Sequence, residues 1–120
     1  MALTEGTERT EEFRVEGALL TDVDGTLPMA VLSTPGMIKM METAAAALVY
    51  GELPPGHATV GFEVCVKHVG GALEGATCVA IARLREVVED RKLRFDVEVR
   101  EGARTIGVGT HERRVIPVTR

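Results

Sequence analysis

The sequence predicts an α+β domain in which a curved five-stranded antiparallel sheet wraps around one long central helix. The first observation is the stretch STPGMIKMMETAAAALVYG, Ser33–Gly51, with apolar residues at helical spacing between a proline near its start and a glycine at its end. The second is a series of segments after it, rich in Val and Ile and joined by short turns. Short turns pair neighbouring strands antiparallel. The third is that this one helix must cover the sheet's apolar face.

Taken in order, residues 1–12 (MALTEGTERTEE) are polar and acidic and read as a flexible tail, leaving 13–120 as a single domain. Phe13–Val23 reads as the first strand, and Asp24–Ser33 as a connection rich in turn formers. In the helix, Pro35 suits the first helical position, and Thr34 or Ser33 can cap the free amides. Met37, Met40, Met41, Ala44, Ala45, Leu48 and Val49 recur at helical spacing. The helix is apolar nearly all round, as expected of one enclosed by other structure. Glu42 sits inside it, and a carboxylate there must be paired, protonated or used.

GELPPG breaks the helix. His57–Val69 then alternates, with Val60, Phe62, Val64, Val66 and His68 on the core-facing side and Gly61, Glu63, Cys65 and Lys67 on the other. Ala76–Glu89 is a long β-branched strand, and Leu93–Val99 alternates apolar and charged residues. Thr105–Val118 is the final strand, where Gly107 and Gly109 suggest a bulge or a close backbone approach. A sheet wrapped around one helix in this way is the hot-dog fold. It leaves sheet edges and apolar surface open, so a homodimer or a dimer of dimers is expected.

Composition narrows the function. At 120 residues the chain is one domain, with 14 basic against 18 acidic residues and a net charge of −4. No basic stripe or aromatic platform points to nucleic acid. No apolar run is long enough to cross a bilayer, and the polar start is unlike a signal peptide. A cytoplasmic location with Cys65 and Cys78 reduced is therefore expected. His57, His68 and His111 are far apart and lack metal-ligand spacing. ALLTDVDGTL, Ala18–Leu27, matches the first motif of the haloacid-dehalogenase-like phosphatases, but no later acidic pair or βαβ alternation accompanies it. Asp22–Gly25 is read as a turn.

Thr34, Glu42 and His68 are the constellation suited to chemistry. Thr34 and Glu42 lie roughly 12 Å apart along the helix, and His68 ends the sheet face that packs on it. A hydroxyl, a carboxylate and an imidazole around one groove are sufficient for acyl transfer. Simpler roles stand beside this: Thr34 as an N-cap, Glu42 in an ion pair with an arginine of the final strand, His68 as a structural histidine.

Thr34-x7-Glu42, then VCVKH ending in His68, then GTHERRVI from Gly109 to Ile116, resembles the fluoroacetyl-CoA thioesterase family of hot-dog enzymes. The resemblance runs from about Ser33 to Ile116. It implies that Thr34, Glu42 and His68 form a catalytic set at a dimer interface, assisted by Gly61. It puts Arg113 of the GTHER stretch with the substrate-binding residues, and His111 with the residues that shape the interface. Where the characterised enzyme has phenylalanines in a lid loop before the helix, this chain has Gly25, Leu27 and Pro28. An acyl pocket lined by Met37, Met41, Phe62 and that loop would be adaptable. The preferred reading is an acyl-CoA thioesterase, with coenzyme A as part of the substrate and no separate cofactor. The alternative is a non-catalytic hot-dog dimer that binds acyl-CoA. A hydratase is disfavoured because no Asp or His lies between Thr34 and Gly51.

Overall fold

In the computed structural model, which describes residues 2–118, the chain runs β1 (Glu8–Arg14), a 3-10 turn (Gly17–Leu19), β2 (Leu20–Thr21), β3 (Val31–Leu32), α1 (Thr34–Tyr50), β4 (His57–His68), β5 (Thr77–Val88), β6 (Lys92–Glu101) and β7 (Arg104–Pro117). Five strands form one antiparallel sheet in the order β1-β5-β6-β7-β4. Its inner face packs on α1, giving the hot-dog arrangement. Met37, Met40, Met41, Ala44, Ala45 and Val49 of the helix meet Leu84, Leu93, Phe95, Val97, Val99 and Ile106 in one core. The alternation of β6 is met in full, since Leu93, Phe95, Val97 and Val99 are all buried.

The first strand is displaced from its expected place. β1 begins at Glu8, within the segment read as a tail, and ends at Arg14 instead of running on to Val23. Its register on β5 runs from Glu8↔Arg83 to Arg14↔Thr77. The ladder supplies the order that the polar sequence conceals, and the charges belong to an edge strand, where they discourage pairing with other chains. Beyond Val15 the chain turns at Gly17, whose φ is +58°. It then forms the short β2–β3 hairpin.

Two other departures bear on the site. The helix is enclosed on one side only: Tyr50 is 82% exposed, and Pro35, Lys39 and Thr43 face outward. In β4 the register on β7 shifts between Gly61 and Glu63. Such a bulge inserts one residue and resets the alternation. Gly61 pairs with Arg113 and Val64 with His111, so Gly61 faces inward and Phe62 outward, opposite to a strict period of two. Gly107 and Gly109 are close approaches, as expected. A Cβ at Gly107 would collide with the Met37 sulfur, and one at Gly109 with the Cys65 carbonyl oxygen.

β4 is the outer strand beside β7, and Val60, Phe62 and Val64 on it are exposed. No helix among the described residues is long and apolar enough to cross a membrane.

Candidate active site

The start of α1 and the end of β4 meet. Ser33 takes the capping role: its Oγ accepts from the Gly36 amide at 2.9 Å. The Thr34 hydroxyl, one residue on, is therefore free, and its Oγ1 lies 2.9 Å from Nδ1 of His68. Thr34 is thus bonded to the histidine, and the N-cap role falls to its neighbour. The other ring nitrogen, His68 Nε2, is buried and has no hydrogen-bond partner among the described residues. Buried polar atoms are nearly always paired, and this nitrogen is an exception. Val31, Leu32, Val69, Gly70 and Gly71 line a hollow of about 350 Å³ beside it.

Two helical turns further on, Glu42 stands over Gly61. A methyl group at Gly61 would lie 2.9 Å from Glu42 Oε2, 3.6 Å from His111 Cε1 and 3.8 Å from Arg113 Nη1. Glu42 Oε2 is 3.8 Å from Arg113 Nη1, so the ion pair with an arginine of the final strand exists, but as a loose contact beyond hydrogen-bond range. The Glu42 side chain is 41% exposed and that of Arg113 only 10%. The carboxylate therefore lies at the rim of a cavity of about 240 Å³, lined also by Lys39, Thr43 and Ala46. Arg113 is held by Thr59, donating from Nε to Oγ1 at 2.9 Å and from Nη2 to the carbonyl at 3.1 Å. Burial draws the Arg113 pKa down, partly offset by Glu42. Burial likewise lowers the His111 pKa, against the Glu63 carbonyl, which raises it; Arg113 adds to the lowering.

Within one protomer, then, the site residues form two half-sites. Thr34 pairs with His68, and Glu42 groups with Gly61, His111 and Arg113. Three residues assigned to the acyl pocket lie elsewhere. Met37 and Met41 are fully buried core side chains, Met37 filling the space left by Gly107. Phe62 faces outward because of the bulge, with the Arg114 guanidinium 3.6 Å above its ring. That outer face holds a larger hollow of about 390 Å³, but its arginines are engaged. Arg94 bonds Glu86 and Glu112, and Arg114 bonds Glu112. Arg114 first, then Arg94, hold the Glu112 carboxyl below its usual range. His111 and Thr59 had no assigned contact from sequence. The alternation of GTHERRV, which puts His111 and Arg113 on one face, was the available signal.

One helix packed against one wrapped antiparallel sheet defines a hot-dog protein. A family model described as "FlK: Fluoroacetyl-CoA-specific thioesterase" matches residues 15–119. The chain belongs to this family. It is 38% identical over 86 residues to the fluoroacetyl-CoA thioesterase of Streptantibioticus cattleyicolor, covering 72% of this chain and 61% of that relative's length. Among solved structures, it is similar to the fluoroacetyl-CoA thioesterase FlK, with TM-score 0.87, 31% identity, and coverage of 98% of this chain and 91% of that one. A mutant of FlK in complex with fluoroacetate and CoA gives TM-score 0.86 at 30% identity, covering 96% of each chain. A thioesterase superfamily member of Thermus thermophilus gives 0.86 at 28%, covering 98% of this chain and 87% of that one.

Proposed function

We propose that the chain is an acyl-CoA thioesterase, releasing a free acid and coenzyme A, and that it works as a homodimer in the cytoplasm. The observation that carries this is the Thr34–His68 hydrogen bond with the second imidazole nitrogen buried and unpartnered. Family membership supports the reaction class, and the FlK complex with fluoroacetate and CoA supports the substrate class.

The separation of the half-sites supports the dimer. Thr34 and Glu42 stand roughly 12 Å apart along one helix, too far to serve one carbonyl carbon. Gly61, near the middle of β4, and His68, at its end, are equally spaced on either side of the Val64–Cys65 peptide. A two-fold axis near that peptide, pairing β4 with a second copy of itself, sets His68 of one protomer beside Gly61 of the partner subunit. Each dimer then holds two complete sites. The exposed valines of β4 support such pairing.

In the assembled site Glu42 takes a proton from water as the water oxygen attacks the thioester carbonyl. The carbonyl oxygen gains the electron pair and is stabilised by the amide at Gly61. Collapse of that intermediate breaks the C–S bond, and His68 delivers a proton to the departing thiolate; exchange with solvent then removes the proton held by Glu42 and returns one to His68, restoring both groups. Thr34 fixes the ring of His68 through Nδ1, which directs Nε2 at the leaving group. These transfers use the chain's own side chains, with coenzyme A as part of the substrate.

Thiol release measured over short, branched and aryl acyl-CoAs tests the proposal. Turnover of at least one class, lost in His68→Asn, is the expected result. Tight binding of every acyl-CoA without thiol release would instead establish the non-catalytic binder.

A further inference from the structure

His111 has no part in the proton transfers above, yet it lies at the centre of the Glu42 half-site. It is 2% exposed. It sits on β7 opposite Val64 of β4 and Phe95 of β6. Its ring stacks on Phe95 with centroids 6.1 Å apart and planes 27° apart. Nδ1 lies 2.8 Å from the Glu63 carbonyl oxygen. Nε2 lies 3.3 Å from Arg113 Nη1.

These partners dictate its state. A carbonyl oxygen only accepts, so Nδ1 must carry a proton; a guanidinium only donates, so Nε2 must offer its lone pair. The ring is thus neutral and limited to one tautomer. The charged groups facing it are Arg113 on its own strand and Glu42 on α1, and its neighbour on β6 is the apolar Phe95.

The two bonds tie together parts that sequence separates. Glu63 is the residue at which the β4 bulge ends, and the bulge is what turns Gly61 inward. Arg113 is the cation nearest to Glu42. Through one ring, the bulge and the guanidinium are set at a fixed spacing, and Glu42 lies between them.

We propose that His111 is a positioning residue: a neutral imidazole in the Nδ1–H form that locks the β4 bulge to Arg113 and so fixes Glu42 against Gly61. Its kinetic consequence rests on the thioesterase reading; its tautomer does not. His111→Gln keeps an acceptor for Arg113 but loses the Glu63 bond, and His111→Asn keeps a donor for Glu63 but loses Arg113. Each should lower kcat by about 10- to 100-fold, the scale of a misplaced catalytic group. In a Glu42→Gln background, under single-turnover conditions, the same substitutions should change the rate less than about twofold, because the group they position is already disabled. Equal losses in both backgrounds, or no loss in either, would overturn the proposal.

Nitrogen-15 chemical shifts of the His111 ring in the unmutated protein give an independent outcome, needing neither turnover nor a variant that folds. The proposal expects a neutral Nδ1–H ring at pH 7. An Nε2–H ring or an imidazolium would overturn it. If no acyl-CoA is hydrolysed but the Nδ1–H ring is found, the thioesterase reading fails and the clamp stands.

Discussion

Glu42 is the residue whose substitution separates chemistry from architecture most cleanly. Its carboxylate is part-exposed and only loosely paired with Arg113, so Glu42→Gln should alter stability by less than about 1 kcal/mol. Turnover should fall by about 10²- to 10⁴-fold, as expected when a positioned base is removed. Melting temperature and turnover measured on one sample decide the matter; an active but strongly destabilised variant would mean that the Arg113 pairing is the residue's purpose. His111 gives a pH prediction at the same scale. Its folded pKa is lowered by burial, so the unfolded chain binds more protons as pH drops below about 6.5, the ordinary histidine value. Its contribution to stability is therefore present above that pH and lost as pH falls through the window beneath it. Between pH 7.5 and 5.5 the melting temperature should drop more in the unmutated protein than in His111→Gln, by thermal denaturation at matched ionic strength. Asp22 provides a control. Its Oδ1 accepts from the Gly25 amide within a turn, so Asp22→Asn, which keeps an acceptor, should leave thiol release unchanged.

At the scale of the element, two glycines separate packing from function. A methyl at Gly107 meets the Met37 sulfur inside the core, where overpacking typically costs about 1–3 kcal/mol. A methyl at Gly61 crowds the far end of the Glu42 side chain, 2.9 Å away, with His111 and Arg113 at ordinary contact distance, and that carboxylate can swing toward solvent. Gly107→Ala should therefore lower the denaturation midpoint, whereas Gly61→Ala should keep the midpoint and lose turnover. The pair also shows what was legible in the sequence. The helix, the alternation of β6 and the close approach at Gly107 are local patterns, and each was readable from residue type and spacing. The bulge was not: Val60, Phe62 and Val64 look like one face until the pairing with β7 inserts a residue between Gly61 and Glu63. β1 was hidden for a related reason. Its charges resemble a solvated tail, and only the ladder on β5, long in sequence separation, orders them. Thr34, Glu42 and His68 were found through spacing and family resemblance, but the hydroxyl's partner was not, because Ser33 takes the cap and leaves Thr34 free to reach His68.

For the whole molecule, the decisive question is whether one site draws on two protomers. Thr34 and His68 touch within a protomer, and Glu42 lies two helical turns away, so the two inactivating substitutions should complement each other. His68→Asn and Glu42→Gln, each nearly inactive alone, form a mixed dimer after denaturation and refolding together. One site of that dimer combines intact His68 from the Glu42→Gln protomer with intact Glu42 from the His68→Asn protomer; the other site carries both lesions. With random pairing, half of all dimers are mixed and one site in each is whole, so the mixture should recover about a quarter of the unmutated activity. A site complete within one protomer predicts no recovery at any mixing ratio. Cys65, exposed on β4 near the proposed axis, supplies the matching test of assembly. Cys65→Asp brings two like charges together across the pairing edge, which disfavours it. Light scattering should show a shift from dimer toward monomer, with thiol release falling in parallel as the dimer fraction falls. A monomer that retained full turnover would refute the shared site while leaving the fold and the Thr34–His68 pair untouched.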